Sequence, residues 1–376
     1  MGSDADQSQS KKDSAKRDEI DGTEAPHDIN GRDGIERLRR AVEQVDRDIL
    51  RLVARRMELA ASIGRVKVET GEEIRNPAVE QEVLRRGQIL ARELGIGDVF
   101  TQDLLRLLMG QSVATQEHLR TSRRSTNPRV IGIIGSSGGM GQWCKRQFSA
   151  AGHEVLGRDP VDTASPPLEN LVQQCDVLIL AVPLGDARAC AQALLALRPH
   201  GVFFDICSVK GGLAADLRRA ATQGQRVVSV HPMFGPEALP GRTVLISDCG
   251  HAEATATVRE LFTDIAANLV DVPLEQHDAL MATVLGMAHM TNLVFMHSVR
   301  HSGFDLDMIR TCAGTTFTAQ LALAESVASE SPALYHDIQR LNVDTSEMFQ
   351  RMRESLGAFE AALGHPEKFA YLMKGQ

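Results

Sequence analysis

The sequence predicts a multidomain chain of class α and α/β, and three stretches predict it. Ile35 to about Thr70 is a single helical pattern, with Leu38, Val42, Val45, Ile49, Leu52, Leu59, Ile63 and Val66 at three- and four-residue steps and no proline inside. From Val130 to Ser247 short apolar runs bounded by turn-rich sequence alternate with helical stretches, which specifies a doubly wound parallel sheet. From Gln276 onward the pattern turns helical again and stays so.

Length and composition bound the classes open to it. A chain of 376 residues suggests about two or three domains. A hydrophobic content of 43% is ordinary for a globular protein, and no apolar run is expected to reach the ~18 residues of a membrane span. The first thirty residues are polar and charged without the apolar core of a signal peptide, so a disordered tail is expected over 1–32 and a cytoplasmic location for the whole. The six cysteines (Cys144, Cys175, Cys190, Cys207, Cys249, Cys312) are scattered with no C-x-x-C spacing, which suits reduced thiols and offers no metal site. The net charge of −8 argues against nucleic acid as a partner. Locally, Arg32 to Lys67 holds ten Lys/Arg against six Asp/Glu, an excess of four positive charges. Such an excess fits a solvated helix face, a pocket for a small anion or an RNA-binding face, and the last lacks the interleaved aromatics expected of it.

In the first segment, Thr70-Gly-Glu-Glu-Ile-Arg-Asn-Pro77 breaks the long helix, with Asn76 as N-cap and Pro77 as first residue of a second helix to about Leu94. Gly95 to Asp98 is the next break, and a third helix covers roughly Val99 to Leu119. At 1.5 Å per residue the first helix is roughly 50 Å long, too long to bury its stripe without helices from a second chain. Arg56 and Lys67 lie about 20° apart on one face at 100° per residue, whereas Arg39 is roughly 100° off and about 25 Å away, within reach of a partner's pocket. Glu80 opens the second helix; Ser112 and Gln116 are an i,i+4 pair on the third. Two cations, a carboxylate and an uncharged hydrogen-bonding pair together suit a small polar dianion, although each residue taken alone reads as helix surface.

Arg120 to Pro128 is a polar linker. Beyond it, the strand Val130 to Ile134 runs into Gly135-Ser-Ser-Gly138-Gly-Met-Gly141 and then a helical pattern. Glycines there let the backbone turn tightly and approach a pyrophosphate that the next helix N-terminus stabilises. The spacing departs from G-x-G-x-x-G, because the motif's usual first glycine falls on Ser136 and leaves Gly135-x-x-Gly138-x-x-Gly141, so the context carries the assignment. That context is a second strand ending in Asp159, an acid placed for a ribose, which points to NAD; adjacent Arg158 leaves NADP open. The domain is therefore Rossmann-like. Further strands are expected at Asp176–Pro183, Gly201–Ile206, Arg226–Val230 and Thr243–Ser247, and ligands in such sheets lie beyond their carboxyl ends. Pro183, Cys207-Ser-Val-Lys210 and His231-Pro-Met-Phe-Gly-Pro236 fall there. His231 reads as an acid–base group or as a partner for backbone groups; His289, inside a helix expected to be continuous and buried over Met281–Arg300, reads first as a hydrogen-bonded core residue.

Two resemblances assign these features. Leu38-Arg-Arg-Ala-Val-Glu-Gln-Val-Asp46, Ala54-Arg-Arg-Met-Glu-Leu-Ala60, Ile63-Gly-Arg-Val-Lys67 and Ser112-Val-Ala-Thr-Gln116 resemble the all-helical chorismate mutases over about Ile35 to Leu119. That resemblance implies an intertwined dimer in which Arg39 of one chain and Arg56 of the other hold substrate carboxylates, Lys67 and Gln116 reach the ether oxygen, Glu80 meets the ring hydroxyl, and Ser112 completes the pocket. Gly135 to Gly141, Ala181-Val-Pro-Leu184, Asp205-Ile-Cys-Ser-Val-Lys210, His231-Pro-Met-Phe-Gly235, His277-Asp278 and Met287-Ala-His289 are similar to prephenate dehydrogenases over about Pro128 to Gln376. By that likeness Gly135, Ser136, Gly138, Met140, Gly141, Asp159, Val182 and Pro183 hold NAD. His231 accepts the ring hydroxyl's proton, Ser208 positions that hydroxyl or His231, and His289 lines the substrate site. The order of the two segments looks like the bifunctional enzymes that carry chorismate through prephenate to 4-hydroxyphenylpyruvate for tyrosine. The expected organisation is a tail at 1–32, a mutase-like domain at 33–120, a linker at 121–128, an NAD domain at 129–274 and a helical substrate and dimerisation domain at 275–376, forming a homodimer through both helical domains. Asn76, Val79, Thr318 and Ser326 depart from the families' patterns, the last three where an arginine is common. They open two alternatives: the same reactions on 4-amino-4-deoxy substrates, and a non-catalytic homologue that senses such ligands.

Overall fold

The computed structural model describes residues 32–375 except 71, 73, 75, 122–124, 160–164 and 238–241. The expected tail, Arg32 apart, lies outside the described residues, as does the middle of the expected linker. The chain divides into two units, 1–59 and 60–376, with the division inside the first helix.

Helix α1 spans Arg32–Thr70. In its first unit the apolar stripe Ile35, Leu38, Val42, Val45, Ile49 and Leu52 is exposed throughout. Its polar face carries i,i+3 and i,i+4 ion pairs such as Arg47–Glu43 and Arg51–Asp48, which solvent screens so that they add little to stability. The second unit begins with the last turns of α1, followed by α2 (Pro77–Glu93) and α3 (Asp98–Thr121). Asn76 caps α2 as its residue type predicts, its Oδ1 accepting from Ala78 N at 3.1 Å and Val79 N at 3.3 Å, with Pro77 in the first turn. Gly64 is buried where α1 meets α3, and a Cβ there would stand 2.9 Å from Gln116 Cγ.

A seven-stranded sheet forms the centre of the second unit, in the order β2-β1-β3-β4-β5-β6-β7. The strands are β1 Val130–Ile134, β2 Glu154–Arg158, β3 Val177–Leu180, β4 Val202–Asp205, β5 Val227–Pro232, β6 Thr243–Asp248 and β7 Asn268–Asp271. Their near-continuous apolar runs serve two cores at once, because successive side chains face opposite ways. Val177, Ile179, Val202 and Phe204 pack with Trp143, Phe148, Leu261 and Phe262 on one face. Leu178, Leu180 and Phe203 pack with Leu171, Leu194 and Leu217 on the other. The helices supplying these covers are α4 (Gly139–Ala150) and α8 (Ala252–Asp264) on the first face, and α5 (Leu168–Gln174), α6 (Leu184–Ala196) and α7 (Gly211–Thr222) on the second.

The all-parallel sheet needs correction. β5 pairs with β6 antiparallel, with His231 opposite Leu245, and a further strand, β7, pairs parallel with β6. Only ten residues, 233–242, join β5 to β6, too few for the helical crossover that a parallel pair requires.

The C-terminal helices are α9 (Leu274–Met281), α10 (Ala288–Arg300), α11 (Leu306–Cys312), α12 (Thr315–Ser329), α13 (Pro332–Leu341), α14 (Thr345–Ala362) and α15 (Pro366–Lys374). The helix expected to run unbroken and buried from Met281 to Arg300 instead has a π turn at Ala282–Met287, and Val284 and Val294 on it are exposed. The stretch Leu274–Arg300 is also long and apolar enough, by length and composition, to cross a membrane, contrary to the expectation from sequence, with 28% of its apolar window buried. Its buried polar residues are bonded within the protein: His277 to Asp278, and Asn292 to Ala288 O and Gln320.

Candidate active site

Turn geometry at the end of β1 comes first. Gly135 has φ +88°, and a Cβ there would lie 2.4 Å from Ala181 O at the end of β3; a Cβ on Gly141 would lie 2.1 Å from Gly135 O. Only glycine permits this loop. The loop sits between β1 and β3, on either side of which the strand order reverses, the position where dinucleotides bind in open α/β sheets. Gly138 is the N-cap of α4 and supplies no side-chain cap, so the helix N-terminus stays open to a phosphate. Ser136 fits because the residue beside it is Gly157, where a Cβ would stand 2.6 Å from Ser136 Oγ. Asp159 follows β2 directly and its Oδ2 accepts from Ser137 N at 3.1 Å, which fixes the acid beside the turn. Arg158 Nη1 donates to Pro166 O at 2.5 Å, so this cation is engaged away from a ribose phosphate. Met140 is half-buried in the first turn of α4, and Val182 and Pro183 follow β3, Pro183 as N-cap of α6.

The segment after β5 lies against this turn. Trp143 of α4 packs on Phe234 with ring centroids 4.9 Å apart, Arg146 Nη2 donates to Pro236 O at 3.1 Å, and a Cβ on Gly139 would lie 3.0 Å from Pro236 Cγ. His231, near the carboxyl end of β5 and just before that segment, therefore shares the carboxyl edge of the sheet with the glycine turn, Pro183 and Ser208. Its imidazole is buried, with Nδ1 3.2 Å from His277 Nε2. His277 Nδ1 is in turn 2.9 Å from Asp278 Oδ1. The Asp278 carboxylate also accepts from Lys210 N at 2.8 Å and Gly211 N at 2.6 Å, at the start of α7.

A second buried group braces the first. Lys210 Nζ donates to Asp205 Oδ2 at 2.6 Å, Cys207 O at 2.8 Å and Val230 O at 2.8 Å, tying the loop that carries Ser208 to the residue before His231. Asp205 Oδ1 accepts from Ser229 Oγ at 2.7 Å. Burial, then the Lys210 charge, hold the His231 pKa well below its ordinary value, and His277 adds to this only when it is itself charged, so the ring is neutral and able to take a proton. Burial would raise the Asp278 carboxyl, but hydrogen bonds from His277, Lys210 N and Gly211 N hold it below its usual range. Burial pushes the neighbouring Cys207 thiol up, which makes it a poor nucleophile.

His289 does not join this chain. It packs against Tyr335 of α13 with the rings tilted and their centroids 4.2 Å apart, and its Nδ1 is buried without a hydrogen-bond partner among the described residues. Burial lowers its pKa too.

In the helical segment the surface reading of Ser112 and Gln116 does not hold. Both are buried, and Gln116 Oε1 has no hydrogen-bond partner among the described residues. Ser112 Oγ donates to Leu108 O at 2.8 Å, Lys67 Nζ donates to Ile74 O at 2.8 Å, and Glu80 is half-buried in the first turn of α2. Within the first unit Arg39 is exposed and 3.6 Å from Glu36, while Arg56 is half-buried, which lowers its pKa.

Residues 38–117 match the family model for chorismate mutase type II, residues 150–270 that for the prephenate dehydrogenase nucleotide-binding domain, and residues 273–374 that for the prephenate dehydrogenase dimerization domain. The chain is 27% identical over 338 residues to the T-protein of Enterobacter agglomerans, covering 89% of each. It is 31% identical over 228 residues to the 4-amino-4-deoxyprephenate dehydrogenase of Streptomyces pristinaespiralis, covering 60% of this chain and 76% of that one. The chain belongs to the bifunctional chorismate mutase/prephenate dehydrogenase family. Its fold is shared with the prephenate dehydrogenase from A. aeolicus solved with hydroxyphenyl propionate and NAD+, at a TM-score of 0.55 and 19% identity over 67% of this chain and 97% of that one.

The family's nucleotide-binding model starts at residue 150, after the glycine turn, so the evidence for the turn is its own geometry. What sequence reasoning missed is the partner of His231. His277 lies 46 positions away on another element, and no periodicity links the two. The one visible signal is the His277-Asp278 pair at a strand-to-helix boundary. Ser208 had been expected to position the hydroxyl or His231; the hydrogen bond His231 makes goes to His277.

Proposed function

We propose that this enzyme rearranges chorismate to prephenate in its N-terminal helical domain and then oxidises prephenate to 4-hydroxyphenylpyruvate with NAD, in the cytoplasm, as a homodimer joined through both helical domains and serving tyrosine synthesis. The observation that carries the reading is the placement of a buried, neutral, carboxylate-backed histidine beside an open dinucleotide turn. The rearrangement is unimolecular, so restriction of the substrate and charge stabilisation at the breaking C–O bond suffice. Arg39 and Arg56 hold carboxylates in this reading, Lys67 and the unpartnered Gln116 Oε1 side chain face the ether oxygen, Ser112 and Glu80 complete the pocket, and Glu80 meets the ring hydroxyl.

In the second reaction the nicotinamide supplies the hydride acceptor. His231 takes the hydroxyl proton as C4 loses hydride, the ring carboxylate departs as carbon dioxide, and the proton returns to the phenolate oxygen. Ser208 positions the hydroxyl, and His289 with Tyr335 lines the far side. Gly135, Ser136, Gly138, Met140, Gly141, Val182 and Pro183 hold the cofactor, and Asp159 with Arg158 turned to Pro166 favours NAD over NADP. The test supplies chorismate as sole substrate with NAD and follows NADH absorbance. NADH appears after a lag, the lag vanishes when prephenate is given instead, and Arg56→Ala abolishes only the chorismate-driven signal. NADH formation from neither substrate would end the reading, and turnover of the 4-amino analogues would then separate the amino reading from a ligand-sensing homologue.

A second reading keeps both chemistries on 4-amino-4-deoxy substrates. The 31% identity to a 4-amino-4-deoxyprephenate dehydrogenase favours it, as do Val79, Thr318 and Ser326 where family members carry arginine. Arg310 is no ready replacement, since it is paired with Glu325 at 2.6 Å and Asp307 at 3.3 Å. Prephenate and its 4-amino analogue assayed side by side decide between them: a large preference for prephenate removes the amino substrate.

A further inference from the structure

The hydrogen bonds around Asp278 fix proton positions two residues away. A carboxylate held below its usual pKa by two backbone N–H groups only accepts, so His277 Nδ1 carries the proton that it shares with Asp278 Oδ1. His277 is buried and its pKa is lowered, by burial above all, so the ring is neutral and its Nε2 holds a lone pair. The atom 3.2 Å from that lone pair, His231 Nδ1, must then donate. A neutral His231 protonated at Nδ1 has its own lone pair on Nε2. We propose that His277 is a positioning residue for the oxidation: backed by Asp278, it selects the His231 tautomer whose Nε2 is the base and then shares the imidazolium charge that develops when Nε2 takes the hydroxyl proton.

This rests on His231 as the base, and it adds that the identity of the basic atom is set from α9. The charged and titratable groups that act on His231 are the Lys210 ammonium, from the loop after β4, and His277 of α9, which is backed by Asp278. Among the described residues the hydrogen bond at His231 Nδ1 is the one to His277, and the Lys210 ammonium is directed at Asp205, Cys207 O and Val230 O.

The test compares His277→Leu, His277→Gln and His231→Asn in the full-length enzyme. His277→Leu removes the acceptor and frees His231 to adopt either tautomer. It lowers dehydrogenase kcat by about 10²-fold, leaves KM for NAD and prephenate within about twofold, and moves the acid limb of the kcat–pH profile downward, because the imidazolium has lost its hydrogen bond. His277→Gln, whose Oε1 accepts from Nδ1–H, recovers most of kcat and returns the limb. Mutase turnover stays unchanged in both. Equal losses in Leu and Gln variants, or a Leu variant with normal kcat and pH profile, overturn the proposal. His231→Asn separates the two layers: if it keeps full kcat the base assignment itself fails, whereas a large loss there beside a normal His277→Leu rejects only the positioning role. Should His277→Leu fail to fold, the ¹⁵N shifts of His231 in the wild-type enzyme, assigned by their loss in His231→Asn, decide: a protonated Nδ1 with a bare Nε2 supports the proposal, and the reverse tautomer overturns it.

Discussion

Two residues show how single side chains hold the dehydrogenase site. Gly135 combines φ +88° with a Cβ position 2.4 Å from Ala181 O, so Gly135→Ala forces the end of β1 away from the end of β3. The left-handed backbone alone costs about 1–2 kcal/mol for an alanine. Displacement of the turn is expected to weaken NAD binding by about tenfold or more, roughly 1.4 kcal/mol per factor of ten, with mutase activity retained; NADH fluorescence titration reads it, and an unchanged affinity would mean that the cofactor does not use this turn. Lys210 is the other case. Its ammonium is buried and makes three bonds, one of them to the buried Asp205 carboxylate. Lys210→Met strands that carboxylate at a cost of about 3–5 kcal/mol, seen as a fall in Tm, and adding Asp205→Asn should restore part of it. A double variant no more stable than the single one would show that the ion pair is not what the fold needs. Both residues were legible as motif positions. The bonding of Lys210 was not, because Cys207, Val230 and Asp205 converge only after β4 and β5 have paired.

At the scale of elements, the helices of the N-terminal segment and the first six strands follow from periodicity and turn residues. Asn76-Pro77 as cap and first turn is legible to the residue. The direction of β6 was not read, although the shortness of the segment after Pro232 already rules out a helical crossover. β7 was missed because Asn268–Asp271 is short and alternates weakly at an exposed edge. The π turn at Ala282–Met287 was missed because nothing in local composition distinguishes it from α-helix. Its neighbour explains how it is held. One face of α13 presents Tyr335, Gln339 and Asn342, at steps of four and three, to His289, Gly286 O and Asp278 O, with Gln339 Nε2 donating at 3.0 Å and Asn342 Nδ2 at 2.8 Å. Thus α13 clasps the π turn and the residue behind His277. Gln339→Leu with Asn342→Leu removes both donors and is expected to lower stability by roughly 1–3 kcal/mol, read as a lower urea midpoint at constant m, and to reduce dehydrogenase turnover while sparing the mutase. Loss of stability with full dehydrogenase turnover would show that the clasp supports the helix and not the His277–Asp278 pair.

For the whole molecule, the burial of histidines sets the response to acid. His153, His231, His277 and His289 sit on different elements, and burial lowers the pKa of each. In the unfolded chain all four titrate near 6.5. Below about pH 6.5 the unfolded chain therefore binds more protons than the folded one, and stability falls as pH drops toward the folded-state values. A fully uncoupled histidine contributes up to about 1.4 kcal/mol per pH unit over that interval. Asp278 works lower on the scale: its folded pKa is depressed, so its contribution is present above the unfolded value near 4 and is lost only as pH falls through the folded one. Acid loss of stability should accordingly come in two stages, a first slope beginning near pH 6.5 from the histidines and a second below about pH 4 from carboxylates such as Asp278, Asp216 and Asp248. Thermal unfolding measured from about pH 8 down to about pH 2 reads both stages, and His277→Gln should flatten the first without moving the second. A Tm that stays level from pH 7 to pH 5 would show that these histidines take up protons in the folded enzyme, which would also remove the neutral imidazole on which proton abstraction by His231 depends.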